Sequence, residues 1–250
     1  PKRWLARFQV VEYLRSFLAG RVGWDALQIM LLISGAFGMF RRDLVVAVGG
    51  LAHDSVGEDF ELTVRLHRYC RERRLPYAIH FVPDPVAWTE VPETTALLGR
   101  QRDRWQRGLI DTLRRHRRLM LNPRYGRIGL VAYPYFFFFE MLGPVIEFLG
   151  YIVFFILGIT GHISPAAALL FLWIAVLMSA VLSVAAVGLE ELSFRRYPQL
   201  RDLFLLLLLS LLESFGYRQL ITFYRIRGTI SYLRGQTGWG TMERKGFQKG

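Results

Sequence analysis

IGLVAYPYFFFFEMLGPVIEFLGYIVFFILGIT, residues 128–160, carries two carboxylates, Glu140 and Glu147, and neither Lys nor Arg. Those two are also the only formal charges between Ile128 and Leu189. A soluble domain needs polar groups on its outer face, whereas about 20 consecutive apolar residues suffice to cross the hydrocarbon of a bilayer. The stretch therefore divides the 250-residue chain into a polar part, 1–127, and a membrane part, 128–224, with a basic tail at 225–250. Pro134 and Pro144 are expected to kink it, and its surplus length predicts an interfacial piece at its start. Two further apolar segments follow, 165–189 and 203–224.

Charge is distributed as that division requires. Residues 1–127 hold 22 basic and 13 acidic side chains, a net +9, against 10 and 7, a net +3, in 128–250. Arg107, Arg114, Arg115, Arg117, Arg118, Arg124 and Arg127 crowd before the first apolar segment, while the connection GHIS, 161–164, has no Lys or Arg. By the positive-inside rule the polar part is cytosolic and 161–164 lies outside, in a multi-pass protein of the plasma membrane, the inner membrane in a bacterium. Arg195, Arg196 and Arg201 return the next loop to the inside. If 203–224 crossed, it would export Arg225, Arg227, Arg234, Arg244, Lys245 and Lys249. Its uninterrupted apolar run, Leu203 to Leu212, is too short to span, and Glu213, Gly216 and Arg218 break it. A broken, re-entrant or interfacial hairpin is the expected form. Nucleic acid is not an expected partner of the +12 chain, because topology already accounts for arginines beside membrane segments. The single cysteine, Cys70, permits no internal disulfide and no Cys-based zinc site, and reads as a half-buried helix residue in a reducing compartment.

Within 1–127, Trp4, Phe8, Val11, Leu14 and Leu18 recur at helical spacing and predict an amphipathic helix, packed on the domain or lying on the membrane surface. In SGAFGMFRRD, 34–43, two glycines let the backbone turn tightly or approach a ligand. EDFELTVRLHRYCRERR, 58–74, predicts a helix with acids first and bases last before Pro76. YAIHFV, 77–82, reads as a short strand bounded by Pro83 and Pro85. A second helix is expected from Pro92 towards Pro123, with Gly99 and Gly108 as weak points. Strands alternating with helices indicate α/β.

Three groups of residues could carry chemistry. Glu58 and Asp59 fall in a first helical turn, where the positive end of the helix dipole favours ionised carboxylates, and Asp59 could serve as a general base. Ser55 and Glu58 also have capping-box spacing, so local stability alone could account for them. Gln101, Arg104 and Trp105, in QRDRW, share one helix face. An amide, a guanidinium and an indole suit hydroxyls, phosphate oxygens and the flat side of a sugar ring, though arginines and an interfacial tryptophan could equally meet lipid headgroups. TGWGTMERKGF, 237–247, has three glycines and flanking bases, as in a loop that approaches a phosphate or a frayed basic terminus.

Taken together and in order, these strings resemble the processive β-glycosyltransferases of glycosyltransferase family 2, which include cellulose, hyaluronan and poly-N-acetylglucosamine synthases. The resemblance runs over most of the chain, through SGAFGMFRRD, GEDFELTVRLH at 57–67, QRDRW, the membrane segments and WGTMER at 239–244. It implies that residues 1–127 are the C-terminal half of a GT-A-like glycosyltransferase domain followed by transmembrane and interfacial helices. It implies that Asp59 deprotonates the acceptor hydroxyl, and that Gln101, Arg104 and Trp105 line the junction of donor diphosphate and acceptor sugar. Ser34, Gly35 and Ala36 would lie beside the acceptor terminus, with Glu58 and Arg102 in the same binding set. Trp239, Gly240, Thr241 and Arg244 would form a gating loop over the nucleotide.

The family holds Mg²⁺ or Mn²⁺ with a D-x-D motif in an upstream half, and no D-x-D occurs here. The metal ligands and the uridine pocket are therefore expected upstream of Pro1, no metal ligand is assigned within the chain, and the chain by itself is expected to be inactive. The expected function is that of a membrane-bound inverting, processive transferase. It would polymerise sugar from a UDP-sugar into an extracellular polysaccharide, poly-N-acetylglucosamine by overall similarity, with the bilayer and accessory export subunits as further candidate partners. A non-processive family 2 transferase acting on a lipid-linked acceptor, and a non-enzymatic membrane subunit gripping anionic lipids, are the alternatives.

Overall fold

The computed structural model describes residues 3–82, 89–193, 199–236 and 238. In chain order the helices are α1 (Trp4–Tyr13), a π-helical turn (Leu14–Ala19), α2 (Gly20–Ala26), α3 (Arg42–Ala47), α4 (Glu58–Glu72), α5 (Thr95–Arg115), α6 (Tyr133–Tyr135), α7 (Gly143–Ile159), α8 (Pro165–Ser193), α9 (Leu200–Leu212) and α10 (Tyr217–Leu233). Among the described residues there is no strand, so the α/β, GT-A-like expectation is corrected to an all-helical arrangement. The reason is visible at 77–82. A strand needs a neighbour to pair with, and here Tyr77 is instead drawn onto α4, where its hydroxyl donates to His67 Nδ1 at 2.7 Å and accepts from Arg71 Nε at 3.1 Å. Pro83 and Pro85 lie outside the described residues.

The chain forms two compact units, each assembled from two separated stretches: 24–144 with 224–250, and 1–23 with 145–223. The first holds the candidate site. Its core joins Ile29 and Leu31, Phe60 and Val64 of α4, Leu113 of α5, and Ile128, Ala132, Tyr133 and Phe136 from the start of the apolar stretch. Burying each of the larger side chains contributes on the order of 2 kcal/mol. α5 opens on an N-cap, Thr94, whose hydroxyl accepts from Leu97 N at 3.3 Å, and it runs unbroken through both glycines. Cys70 is fully buried on α4 rather than half-buried, and burial pushes its thiol pKa up.

Between Ile128 and Met141 the chain winds as two π-helical turns flanking α6, whose second residue is Pro134; Pro144 is likewise second in α7. Proline supplies no N–H to an i→i−4 ladder, and wide turns on either side accommodate the gap.

In the second unit, Phe8 of α1 stacks on Tyr217 at 5.1 Å, and Phe154 of α7 on Phe171 of α8 at 5.6 Å. Val11 and Leu14 bury the inward face predicted for the first helix, while Trp4 stays exposed. Ile128–Ile159, 32 residues, and Pro165–Leu189, 25 residues, are long and apolar enough to cross a membrane. Arg201–Leu212 and Tyr217–Leu233 form a pair bent by 59° that would make a third crossing if counted as one. Gly216, at φ +96°, sits at that bend. Large side chains such as Val153, Phe155, Phe171 and Trp173 remain exposed on α7 and α8, a surface suited to lipid rather than to water.

Candidate active site

α4 starts at Glu58 with Gly57 as its N-cap. The expected capping box does not form: Gly57 provides no side-chain cap, and the Ser55 hydroxyl accepts from Gly57 N at 3.4 Å instead. A tertiary contact selects glycine at this position. A Cβ on Gly57 would lie 3.0 Å from the Gly108 Cα, and one on Gly108 2.9 Å from the Gly57 Cα, so α4 begins directly against the backbone of α5. The predicted weak point at Gly108 is therefore a crossing point, and α5 is held there at its full length.

That crossing sets Glu58 and Asp59 beside the Q-R-x-R-W segment. Arg104 Nη1 donates to the Val56 carbonyl at 3.4 Å, one turn of chain before Asp59. Asp59 is half-buried; its Oδ1 accepts from Phe60 N at 2.8 Å, and its other oxygen is turned to Gly35, where a Cβ would stand 2.5 Å from Oδ2. Ser34 Oγ accepts from Ala36 N at 3.4 Å, which folds this turn on itself. Thus Gly35 lies against Asp59, and Arg104 is tied to the chain three residues before Asp59. Two acceptors in these segments are buried with no hydrogen-bond partner among the described residues, Glu58 Oε2 and Gln101 Oε1.

The indole is less open than expected. The Arg102 guanidinium lies over the Trp105 ring, 4.4 Å from its centroid, so one face is occupied by a cation. Trp239, Gly240, Thr241 and Arg244 lie outside the described residues. The chain leading to them does not: Arg107 Nη1 donates to the carbonyls of Gln236 and Gly238, each at 3.0 Å, and so ties the approach to that segment onto α5.

Several residues that support this arrangement carry no signal in the sequence reading. Glu61 is buried on α4 between His116 Nε2 at 3.0 Å and Arg65 Nη2 at 2.8 Å. Burial pushes its pKa up, but the bond from His116 and the charge of Arg65 outweigh burial and hold it below the usual carboxylate range. Arg65 also donates to the carbonyls of Val48 and Gly50, closing the loop after α3. His67 donates from Nε2 to the Met30 carbonyl at 2.7 Å and so fixes the strip that leads into Ser34. Its burial drives the imidazole pKa down to about 4. On the far side of α5, Asp103 takes Arg107 Nε at 2.8 Å and Ser231 Oγ at 2.9 Å. Gln106 bridges Thr229 Oγ1 at 3.2 Å, the Met141 carbonyl at 3.1 Å and Arg225 Nε at 2.9 Å. The i, i+4 spacing of Asp103 and Arg107 was the one available hint.

Among the described residues no three His, Cys, Asp or Glu side chains are grouped to hold a metal ion. The described residues thus do not fit a divalent-cation site.

Residues 2–187 match a protein-family model described as glycosyl transferase family group 2. The chain is 32% identical over 108 residues to a probable glycosyltransferase, YdaM, of Bacillus subtilis, a match covering 43% of this chain and 24% of that protein. It is 31% identical over 111 residues to a poly-beta-1,6-N-acetyl-D-glucosamine synthase of Staphylococcus aureus, covering 44% and 26%, and 29% identical over 111 residues to the Staphylococcus epidermidis protein of that name. The matched region thus spans about a quarter of the length of these relatives. No solved structure matches the chain significantly.

Proposed function

The chain belongs to glycosyl transferase family group 2, and on that premise we propose that it supplies the acceptor-side catalytic base of a membrane-bound, inverting, processive β-glycosyltransferase. The donor is a UDP-sugar, and the product is an extracellular polysaccharide. The named relatives make poly-β-1,6-N-acetylglucosamine the first product to test and UDP-N-acetylglucosamine the first donor. The observation that carries this reading is that Gly35 packs against the Asp59 carboxylate while Arg104 binds the Val56 carbonyl just before the Gly57–Gly108 crossing.

In the proposed reaction Asp59 takes the proton of the acceptor hydroxyl as its oxygen attacks the anomeric carbon from the side opposite the diphosphate. The carbon–oxygen bond to UDP breaks, and configuration inverts. Arg104, held at the mouth of α4, places a guanidinium where negative charge grows on the leaving diphosphate. Glu58 Oε2 and Gln101 Oε1 are buried acceptors awaiting donors, and sugar hydroxyls are suitable donors. The bare backbone at Gly35 lets the Asp59 carboxylate pack against that turn without a clash and so positions it.

Asp59→Asn, made in the complete protein and assayed in membranes with UDP-N-acetylglucosamine, is expected to lower transfer at least ~1000-fold while membrane insertion is unchanged. Near-normal polymer synthesis by that variant would refute the assignment. Chain-length analysis of the wild-type product tests processivity: single additions would replace the polymerase reading with that of a transferase acting once per acceptor.

A further inference from the structure

Two cavities in the unit that holds the site share Arg114 and Arg117 as walls. One, of about 480 Å³, is lined also by Asp111, Arg115 and Tyr232. The other, of about 430 Å³, is lined also by Ile110, Leu113, Met120, Tyr133, Phe137 and Met141. A polar chamber rich in guanidinium thus opens beside an apolar one. The nearby acids make their ion pairs with Arg115, Asp111 at 2.8 Å and Asp54 at 2.9 Å, and Asp111 adds only a weaker attraction on Arg114. Arg114 has only a 3.5 Å hydrogen bond to the Tyr232 hydroxyl, and the exposed Arg117 guanidinium has no bond among the described residues. Tyr133, Phe137 and Met141 belong to the Ile128–Ile159 stretch that is long enough to cross a bilayer, so the apolar chamber is continuous with a membrane-spanning element.

We propose that this divided cleft binds one anionic phospholipid of the surrounding bilayer, its phosphate between Arg114 and Arg117 and an acyl chain along Met120, Phe137 and Met141. Charge complementarity sets the head, since two arginines that form no ion pair among the described residues favour a phosphate that can take bidentate bonds. The apolar wall sets the tail, because a soluble phosphate would leave it facing water. The site is independent of the role given to Asp59.

The test uses the complete protein in nanodiscs of phosphatidylcholine that carry a trace of phosphatidylglycerol with a photoreactive acyl chain. Adducts are expected on Met120, Phe137 or Met141, more strongly than with the matching phosphatidylcholine probe. Arg114→Gln with Arg117→Gln is expected to reduce them by about 10- to 30-fold, with labelling of the Ile152–Ile156 face unchanged as the control for insertion. Arg118→Gln with Arg124→Gln removes the same charge outside the cleft and is expected to keep them. Equal labelling by the two probes, or equal loss in both double variants, would overturn the proposal. Displacement of the probe by millimolar inorganic phosphate would also overturn it, assigning the chamber to a soluble anion.

Discussion

A Cβ at Gly35 would lie 2.5 Å from Asp59 Oδ2 and 3.2 Å from its Cγ. Real Cβ atoms do not approach that closely, so Gly35→Ala must rotate the carboxylate or shift the turn. If Asp59 is the base, kcat is expected to fall about 100-fold, since a displacement of about 1 Å at a reacting group has that effect, while the KM for donor changes little. Steady-state kinetics on membranes checks this, and an unchanged kcat would show that Asp59 is not positioned by that contact. Gly108→Ala is a different case. Its Cβ would meet the Gly57 Cα and N, backbone atoms that cannot swing aside, so a stability loss of about 1–3 kcal/mol is expected along with lost activity. Asp59 itself was legible in the sequence, because a first-turn carboxylate follows from composition and helix polarity alone. Gly35 and Arg104 were named from their own motifs and the family resemblance, but the contacts that bring Gly35 to Asp59 and Arg104 to Val56 join distant parts of the chain, which no local pattern shows.

Helices α4 and α5 show which parts of an element are local. The end of α4 and the start of α5 could be read from Pro76 and Pro92, whereas α5 stops at Arg115, well before Pro123. The N-cap of α4 could not be read, since the Gly108 backbone excludes any side chain from the place where Ser55 and Glu58 suggested a capping box. The strand expected at 77–82 failed in the same way: its pattern is local, whereas a partner strand is not. The His67 tether makes a prediction about α4 as an element. Buried and neutral, His67 has a folded pKa near 4 against an ordinary 6.5. Its folded-state value is depressed, so between those limits the unfolded chain takes up a proton that the folded chain refuses. The contribution is therefore complete above pH 6.5 and declines as pH falls towards 4, by on the order of 3 kcal/mol across the window. Protection of the α4 amides, measured against the intrinsic exchange rate at each pH, is expected to weaken over that range. His67→Gln, which has no proton to gain, is expected to flatten the dependence; an unchanged slope would remove His67 as its source. Glu61 adds acid sensitivity only at lower pH, since its pKa is held down by His116 and Arg65.

At the scale of the whole molecule, each compact unit draws on stretches far apart in sequence, and polar bonds do part of that joining. In the unit formed by 1–23 and 145–223, Arg15 and Glu213, 198 positions apart, form an ion pair that Ser183 of α8 also joins: Arg15 Nη1 donates to the Ser183 hydroxyl at 2.6 Å, and that hydroxyl donates to Glu213. Tyr217 donates to Glu12 Oε2 at 2.5 Å and crosses the same gap. From sequence, Glu213 read only as an interruption of an apolar run, because nothing local indicates that its partner stands near the start of the chain. Glu213 is 2% exposed, so taking away Arg15 strands a carboxylate where water cannot reach it, while taking away both charges strands nothing. Arg15→Met is accordingly expected to cost about 3 kcal/mol or more, Glu213→Gln less because its amide can still bond Ser183, and Arg15→Met combined with Glu213→Leu less than Arg15→Met alone. Thermal unfolding of the detergent-solubilised complete protein ranks the three variants. If the double variant were the least stable, the pair would be contributing net attraction in that interior, and the account of Glu213 as a charge tolerated only because Arg15 answers it would have to be abandoned.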